Sequence, residues 1–185
     1  MNLVRRCSFL LLFFALGSIF VAATDGPATT TDTPTKTLPD LNVKALDGNM
    51  VNILEEYAGN GKITVLSFWA TWCAPCKKEL SNIADIYDEW LDLYDVEVVA
   101  VSTDDSQSTM KVQQYVDGKS LPYDVLLDSD EALKQALGIR MIPHTIVLNQ
   151  EGKIVFEHTG YSEGDEYDLE ELIAELSEAS EEEEE

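Results

Sequence analysis

Basic residues are scarce in this chain: 12 Lys and Arg stand against 35 Asp and Glu, a formal net charge of −23 over 185 residues. A surface that negative repels phosphate, which excludes nucleic acid and argues against anionic membrane surfaces as partners. Two histidines are too few for most His-based metal sites, and three cysteines are too few for a small scaffold stapled by disulfides. Also lacking are an internal repeat, a second CxxC and a haem-attachment CxxCH. What the chain does have is apolar mass. With 45% hydrophobic residues against 25% charged, it can bury one sizeable core and is too apolar for a disordered protein. Any chemistry must be concentrated in one place.

The first residues, Met1-Asn2-Leu3-Val4-Arg5-Arg6, precede an almost unbroken apolar run over residues 9–23, the layout of a charged n-region and an apolar h-region. Roughly 15 apolar residues fall short of the about 20 that a bilayer span needs. Val21-Ala22-Ala23 places small residues where a signal peptidase cuts. Residues 1–23 are therefore expected to be a signal peptide, with an uncleaved N-terminal anchor as the alternative. Either way the remainder is exported, to the bacterial periplasm or its extracytoplasmic equivalent. Cys7, Arg5 and Arg6 would leave with the signal, and the mature chain keeps ten bases, 35 acids and two cysteines. Those two, Cys73 and Cys76, meet an oxidising compartment and are expected to form a disulfide unless something keeps them reduced.

Residues 24–39 (TDGPATTTDTPTKTLP) are rich in Thr and Pro without apolar periodicity and read as an extended linker. Residues 177–185 (SEASEEEEE) form a like-charge block, expected to be a solvated tail after the last helix. Between them, residues 40–176 form one domain in which strands and helices alternate. Residues 41–45 and 50–54 flank Asp47-Gly48-Asn49, a hairpin. Residues 62–69 (KITVLSFW) and 96–101 (VEVVAV) are short apolar runs with the signature of buried strands. After Cys76, Leu80, Ile83, Tyr87, Trp90, Leu91 and Tyr94 fall at helical spacing. Residues 107–116 read as a helix, 123–127 as a strand, and 130–137 as a helix ended by Gly138. Residues 145–148 and 154–158 flank Asn149-Gln150-Glu151-Gly152 as a second hairpin. Residues 166–176 close the domain as a helix with Leu169, Leu172, Ile173 and Leu176 inward. The pattern is that of an α/β protein, a mixed sheet covered on both faces.

Trp69-Ala70-Thr71-Trp72-Cys73-Ala74-Pro75-Cys76 stands where a buried strand ends and a helix begins. Cysteines at i and i+3 in a first helical turn are close enough to bridge, and the helix N-terminus offers unpaired N–H groups and the positive end of its dipole to a thiolate. Lowering a thiol pKa from about 8.5 to about 7 raises its thiolate fraction at neutral pH roughly fifteenfold. Cys73 therefore reads as the attacking sulfur, and Cys76, one turn deeper, as the shielded one that resolves the mixed disulfide. Pro75 fits the first turn, where its missing N–H costs nothing. A mere staple is the plainer alternative, but closing so short a loop contributes only about 2 kcal/mol. A zinc half-site would need two more ligands, with only His144, His158 and carboxylates to supply them.

The string FWATWCAPCKKEL resembles the active-site region of thioredoxin-fold proteins, specifically the exported TlpA/ResA/DsbE-like thiol-disulfide oxidoreductases. The likeness extends through VSTDD, an inserted helix and DEALKQALGIRMIPHTIVLNQEGKIVFEHTG, covering roughly residues 38–176. It implies a thioredoxin-like fold with an N-terminal β-hairpin and the inserted helix. It further implies a cis Ile142-Pro143 bond facing the cysteine pair, where the backbone beside Pro143 can pair with an extended substrate. Glu79, on the helix face of Cys76, would then be a carboxylate that tunes the cysteines and shuttles a proton. Trp72 would be an exposed apolar platform beside Cys73, with Trp69 and Trp90 in the core. Ser67 departs from thioredoxin proper, which carries a buried Asp on that strand six residues before the first cysteine; this shifts proton handling toward Glu79. Lys77, Lys78 and His144 read more simply as two solvated helix lysines and a strand histidine.

Direction follows from how well the protein stabilises the reduced thiolate. Ala74 and Pro75 supply Cys73 with no side-chain donor or positive charge, while Glu79 and the acidic field oppose an anionic sulfur. That favours a reductant, and the resemblance implies the same: a reductase of specific extracytoplasmic protein disulfides, among them apocytochrome c during cytochrome c maturation. Such a protein is implied to be a monomer fed with electrons by a membrane thiol-transfer protein of the DsbD/CcdA type, without a bound cofactor. The alternatives are an oxidant on the same fold, a redox-inert binding module, and a thiol peroxidase. The last is disfavoured because Ala70 stands where a peroxidatic site has Thr.

Overall fold

The computed structural model of the chain describes residues 36–183, so the expected signal or anchor and most of the expected linker lie outside the described residues. Strand β1 (Asn42–Ala45) and β2 (Met50–Asn52) form the first hairpin, turned at Gly48, whose φ of +98° suits glycine. The second strand stops earlier than the pattern implies. Asn52 caps a short helix, α1 (Ile53–Tyr57), its side chain accepting from the N–H groups of Leu54 and Glu55 at 3.1 and 3.2 Å.

The apolar run 62–69 becomes β3 (Ile63–Trp69), buried at every residue. It leads into the 20-residue helix α2 (Ala74–Leu93), which buries Cys76, Glu79, Leu80, Ile83, Tyr87 and Trp90; Leu91, expected inward, faces solvent. Then come β4 (Val96–Ser102), α3 (Thr109–Lys119), β5 (Asp124–Leu127) and α4 (Ala132–Ala136). The second hairpin is β6 (His144–Leu148) and β7 (Ile154–Thr159), and α5 (Asp165–Glu183) closes the domain.

The seven strands form one mixed sheet in the order β2-β1-β5-β4-β3-β6-β7, with β3, β4 and β5 parallel and the remaining pairings antiparallel. Central β3 feeds both faces by simple alternation. Ile63, Val65 and Trp69 join a core with Leu80, Ile83 and Trp90 of α2, Val112 of α3 and Ile173 of α5. Leu66 and Phe68 join a second core with Ile53 and Tyr57 of α1 and Leu133 of α4. Helices thus cover both faces, as expected for the α/β class.

Two terminal expectations need correction. Lys36–Thr37, assigned to the linker, meet the start of β7: Ile154 N–H donates to the Lys36 carbonyl at 3.0 Å, Thr37 bridges Lys153, and Leu38 is buried in the second core. At the other end, the helix does not stop at 176 but runs through the acidic block to Glu183. Glutamate is a good helix former, and Gln150 Nε2 ties these turns down by donating to the Leu176 carbonyl and Ser180 Oγ, both at 3.1 Å. No helix of the described residues is long and apolar enough to cross a membrane.

Candidate active site

Four residues, Ala70 to Cys73, carry the chain from the end of β3 into α2. They form a tight turn closed by Cys73 N–H donating to the Ala70 carbonyl at 3.0 Å. Cys73 is the N-cap of α2 and forms a disulfide with Cys76, the Cα atoms lying 5.3 Å apart. The Cys76 N–H donates to Cys73 Sγ at 3.3 Å, so the helix N-terminus aims an unpaired donor at that sulfur. Cys73 keeps 5% of its surface in contact with solvent and Cys76 none, which makes Cys73 the sulfur a second protein can reach. Trp72, at the tip of the turn, is 72% exposed, whereas Trp69 and Trp90 are fully buried.

Glu79, one turn beyond Cys76 on α2, is buried. Its two carboxyl oxygens are held separately: Thr145 Oγ1 donates to Oε1 at 2.7 Å and Ser67 Oγ donates to Oε2 at 3.0 Å. These donors are direct cross-strand partners in the β3–β6 pairing. Burial pushes the Glu79 carboxyl up to about 7; the Thr145 and Ser67 hydrogen bonds oppose the shift, and the charges of Asp165 and Glu166 add to it. A cavity of about 80 Å³ is lined by Glu79 and Thr145 together with Phe156, the partly exposed His158 and Tyr161.

Ile142-Pro143 is cis. Since Phe68 pairs with His144, antiparallel register puts Pro143 beside Trp69, at the sheet end that bears the cysteine turn. Ile142 packs against the core that contains Cys73 and Cys76. The Pro143 carbonyl is taken by Gly160 N–H at 2.9 Å, whereas the Ile142 peptide groups enter no backbone hydrogen bond among the described residues. Lys77 lies over the Tyr115 ring at 5.9 Å, Lys78 faces Glu163 at 3.9 Å, and His144 Nδ1 meets Thr159 Oγ1 at 2.7 Å. Lys78 is thus an exposed helix lysine and His144 a strand histidine, as the plainer readings had them, whereas Lys77 is half-buried against Tyr115.

Sequence reasoning did not find Thr145, nor that Ser67 serves Glu79. The available signal was a hydroxyl in an otherwise apolar buried strand, but the partner depends on strand register, which spacing along the chain does not reveal.

A mixed sheet sheathed by helices, with a cysteine pair at the N-terminus of the helix after the central strand and a cis-proline beside it, defines a thioredoxin-like thiol-disulfide oxidoreductase. Comparison with known proteins agrees. A family model described as the AhpC/TSA family matches residues 34–157. Thiol-disulfide oxidoreductase ResA of Bacillus subtilis is 32% identical over 85% of this chain and 84% of that one. ResA of Halalkalibacterium halodurans is 35% identical over 62% of each chain, so that match spans under two thirds of the relative's length. The solution structure of a thioredoxin-like protein from Porphyromonas gingivalis superposes with a TM-score of 0.68 at 38% identity, covering 76% of this chain and 92% of that one. The chain belongs to the AhpC/TSA family and is similar within it to the ResA-type thiol-disulfide oxidoreductases.

Proposed function

We propose that this protein reduces specific disulfides of extracytoplasmic proteins. The Cys73 thiolate attacks one sulfur of the substrate disulfide, forming a mixed disulfide and releasing the other substrate sulfur as a thiolate that takes up a proton. Cys76 then loses its proton to the Glu79 carboxylate and attacks Cys73 Sγ. The second substrate sulfur leaves and takes the proton, two electrons have passed to the substrate, and the Cys73–Cys76 disulfide remains. A carboxyl held near about 7 is matched to accepting and returning a proton at neutral pH. The substrate lies as an extended segment against Trp72, Ile142 and Pro143, bonded to the free peptide groups of Ile142.

The observation that carries this reading is the disulfide at the α2 N-terminus with the buried, doubly hydrogen-bonded Glu79 carboxyl one turn behind it. Direction rests on the environment of Cys73: Ala74 and Pro75 lend no donor or positive charge, and Glu79 with the acidic surface opposes a sulfur anion. The n-region and h-region at residues 1–23 support export, by a cleaved signal or an uncleaved anchor. Resemblance to TlpA/ResA/DsbE-like proteins supports apocytochrome c as one substrate, a DsbD/CcdA-type membrane protein as electron donor, and action as a monomer.

The test is the equilibrium potential of the Cys73/Cys76 couple, titrated against dithiothreitol or glutathione with tryptophan fluorescence as the readout. A reductant should lie near the thioredoxin end of the scale, about −270 mV. A value near −120 mV belongs to a disulfide-forming oxidant and overturns the assigned direction.

A further inference from the structure

Strand β4 ends at Ser102, and the next two residues, Thr103 and Asp104, are polar yet buried, Asp104 with only 5% of its surface exposed. A carboxylate is costly to bury unless its oxygens are satisfied. Asp104 receives three donors: Thr71 N–H at 2.7 Å and Ser102 Oγ at 3.0 Å on Oδ2, and Thr71 Oγ1 at 2.7 Å on Oδ1. One residue, Thr71, thus engages both oxygens, a two-point grip made of short charge-assisted bonds. Thr103 holds the neighbouring position, its N–H and its Oγ1 donating to the Trp69 carbonyl at 2.8 and 3.2 Å.

The gripped residues are those that deliver the nucleophile. Thr71 and Trp72 are the two central residues of the turn closed between Ala70 and Cys73. Trp72 is too exposed to be fixed by packing, so the shape of this turn must be set from elsewhere. We propose that Asp104 is a positioning residue for thiol exchange: by clamping Thr71 it fixes the turn that holds Cys73 Sγ over the N-terminus of α2 and displays Trp72 outward. All its hydrogen bonds go to Thr71 and Ser102 and none to a sulfur, so it acts through Thr71. With the clamp gone, Cys73 spends less time within reach of the Cys76 N–H, its thiolate loses part of the helix-terminus stabilisation, and its alignment for attack degrades. This rests on Cys73 being the attacking sulfur, though not on the direction of electron flow.

The test is alkylation of Cys73 by iodoacetamide across a pH range in the dithiothreitol-reduced full-length protein, read at Cys73 by peptide mass. Asp104→Ala should slow alkylation at neutral pH about tenfold and raise the pH midpoint by about one unit. Asp104→Asn, which keeps one carbonyl oxygen, should fall between that variant and wild type. Thr71→Val keeps the N–H donor and the shape while losing the hydroxyl, so it should shift both readouts the same way by a smaller amount; it carries the test if Asp104→Ala fails to fold. Folded variants with the wild-type rate and midpoint would show that the clamp serves stability alone and overturn the proposal. A midpoint lowered in Asp104→Asn would also overturn it, since the carboxylate would then act through its charge. A wild-type Cys73 that alkylates no faster than a free thiol at neutral pH would instead count against Cys73 as the nucleophile, and an oxidant's potential for the Cys73/Cys76 couple against the reductase direction only.

Discussion

Glu79 ties the stability of this protein to pH. Its carboxyl, raised by burial from 4.5 to about 7, keeps its proton in the folded state over a range where the unfolded chain has lost it. The folded state then binds more protons than the unfolded one, so stability falls as pH rises through that window: the contribution is full below about 4.5 and lost above about 7. Two to three pKa units correspond to about 3 kcal/mol. Denaturant unfolding of the oxidised protein at about pH 5 and about pH 8 should show this loss; Glu79→Gln should remove most of it and be the more stable form at the higher pH. The same variant should slow resolution of the mixed disulfide about a hundredfold, because nothing remains to take the Cys76 proton. Equal pH dependence in the two proteins would mean that Glu79 ionises as an ordinary surface acid. Cys73 and Cys76 were legible in the sequence because their spacing falls at a strand-to-helix junction, and the family resemblance added Trp72 and Glu79. Thr145 and the Asp104 grip were not: they reach the site through the pairing of β3 with β6 and through the shared end of β3 and β4, and bring together residues 66 and 33 positions apart.

At the scale of elements, long periodic or continuously apolar segments were readable, and so was the five-residue α4 ahead of Gly138, whereas α1 was not. β3, β4 and α2 declare themselves because burial on one or both faces leaves a run or a repeat of apolar residues. α1 does not, since five residues give barely more than one helical turn, and Met50–Leu54 (MVNIL) is a short, mostly apolar stretch that passes for the second arm of a hairpin. What decides the switch is Asn52, whose side chain satisfies two N–H groups of the first turn. Asn52→Ala should therefore destabilise the domain by about 1 kcal/mol, measured by denaturant unfolding. A loss well below that would place the origin of α1 in the burial of Ile53 and Tyr57 instead. The acidic end of α5 is the converse case. Charge repulsion argued for a solvated tail, but the Gln150 contacts to Leu176 and Ser180 lie 26 and 30 residues away in sequence and leave no local trace.

Over the whole molecule the dominant fact is the net charge of −23, which acts at a distance on whatever approaches Cys73. Lys77 and Lys78 directly follow Cys76 on α2, but Lys78 faces Glu163 and Lys77 lies against the Tyr115 ring, so neither offsets so large an excess of acid. The encounter of a disulfide-bearing segment with Cys73 should thus be steered by its charge, and the steering should weaken as the Debye length shrinks from about 30 Å at 0.01 M salt to about 8 Å at 0.15 M. A cationic disulfide peptide should react with the reduced protein at least about tenfold faster at the lower salt than at the higher, and an anionic peptide of the same length should show the opposite trend. Stopped-flow tryptophan fluorescence at a series of ionic strengths reads both rates, with Trp72 beside the reacting sulfur as reporter. If both peptides respond equally and weakly to salt, Lys77 and Lys78 set the potential at Cys73, and selection among substrates passes to the apolar and backbone contacts of Trp72, Ile142 and Pro143.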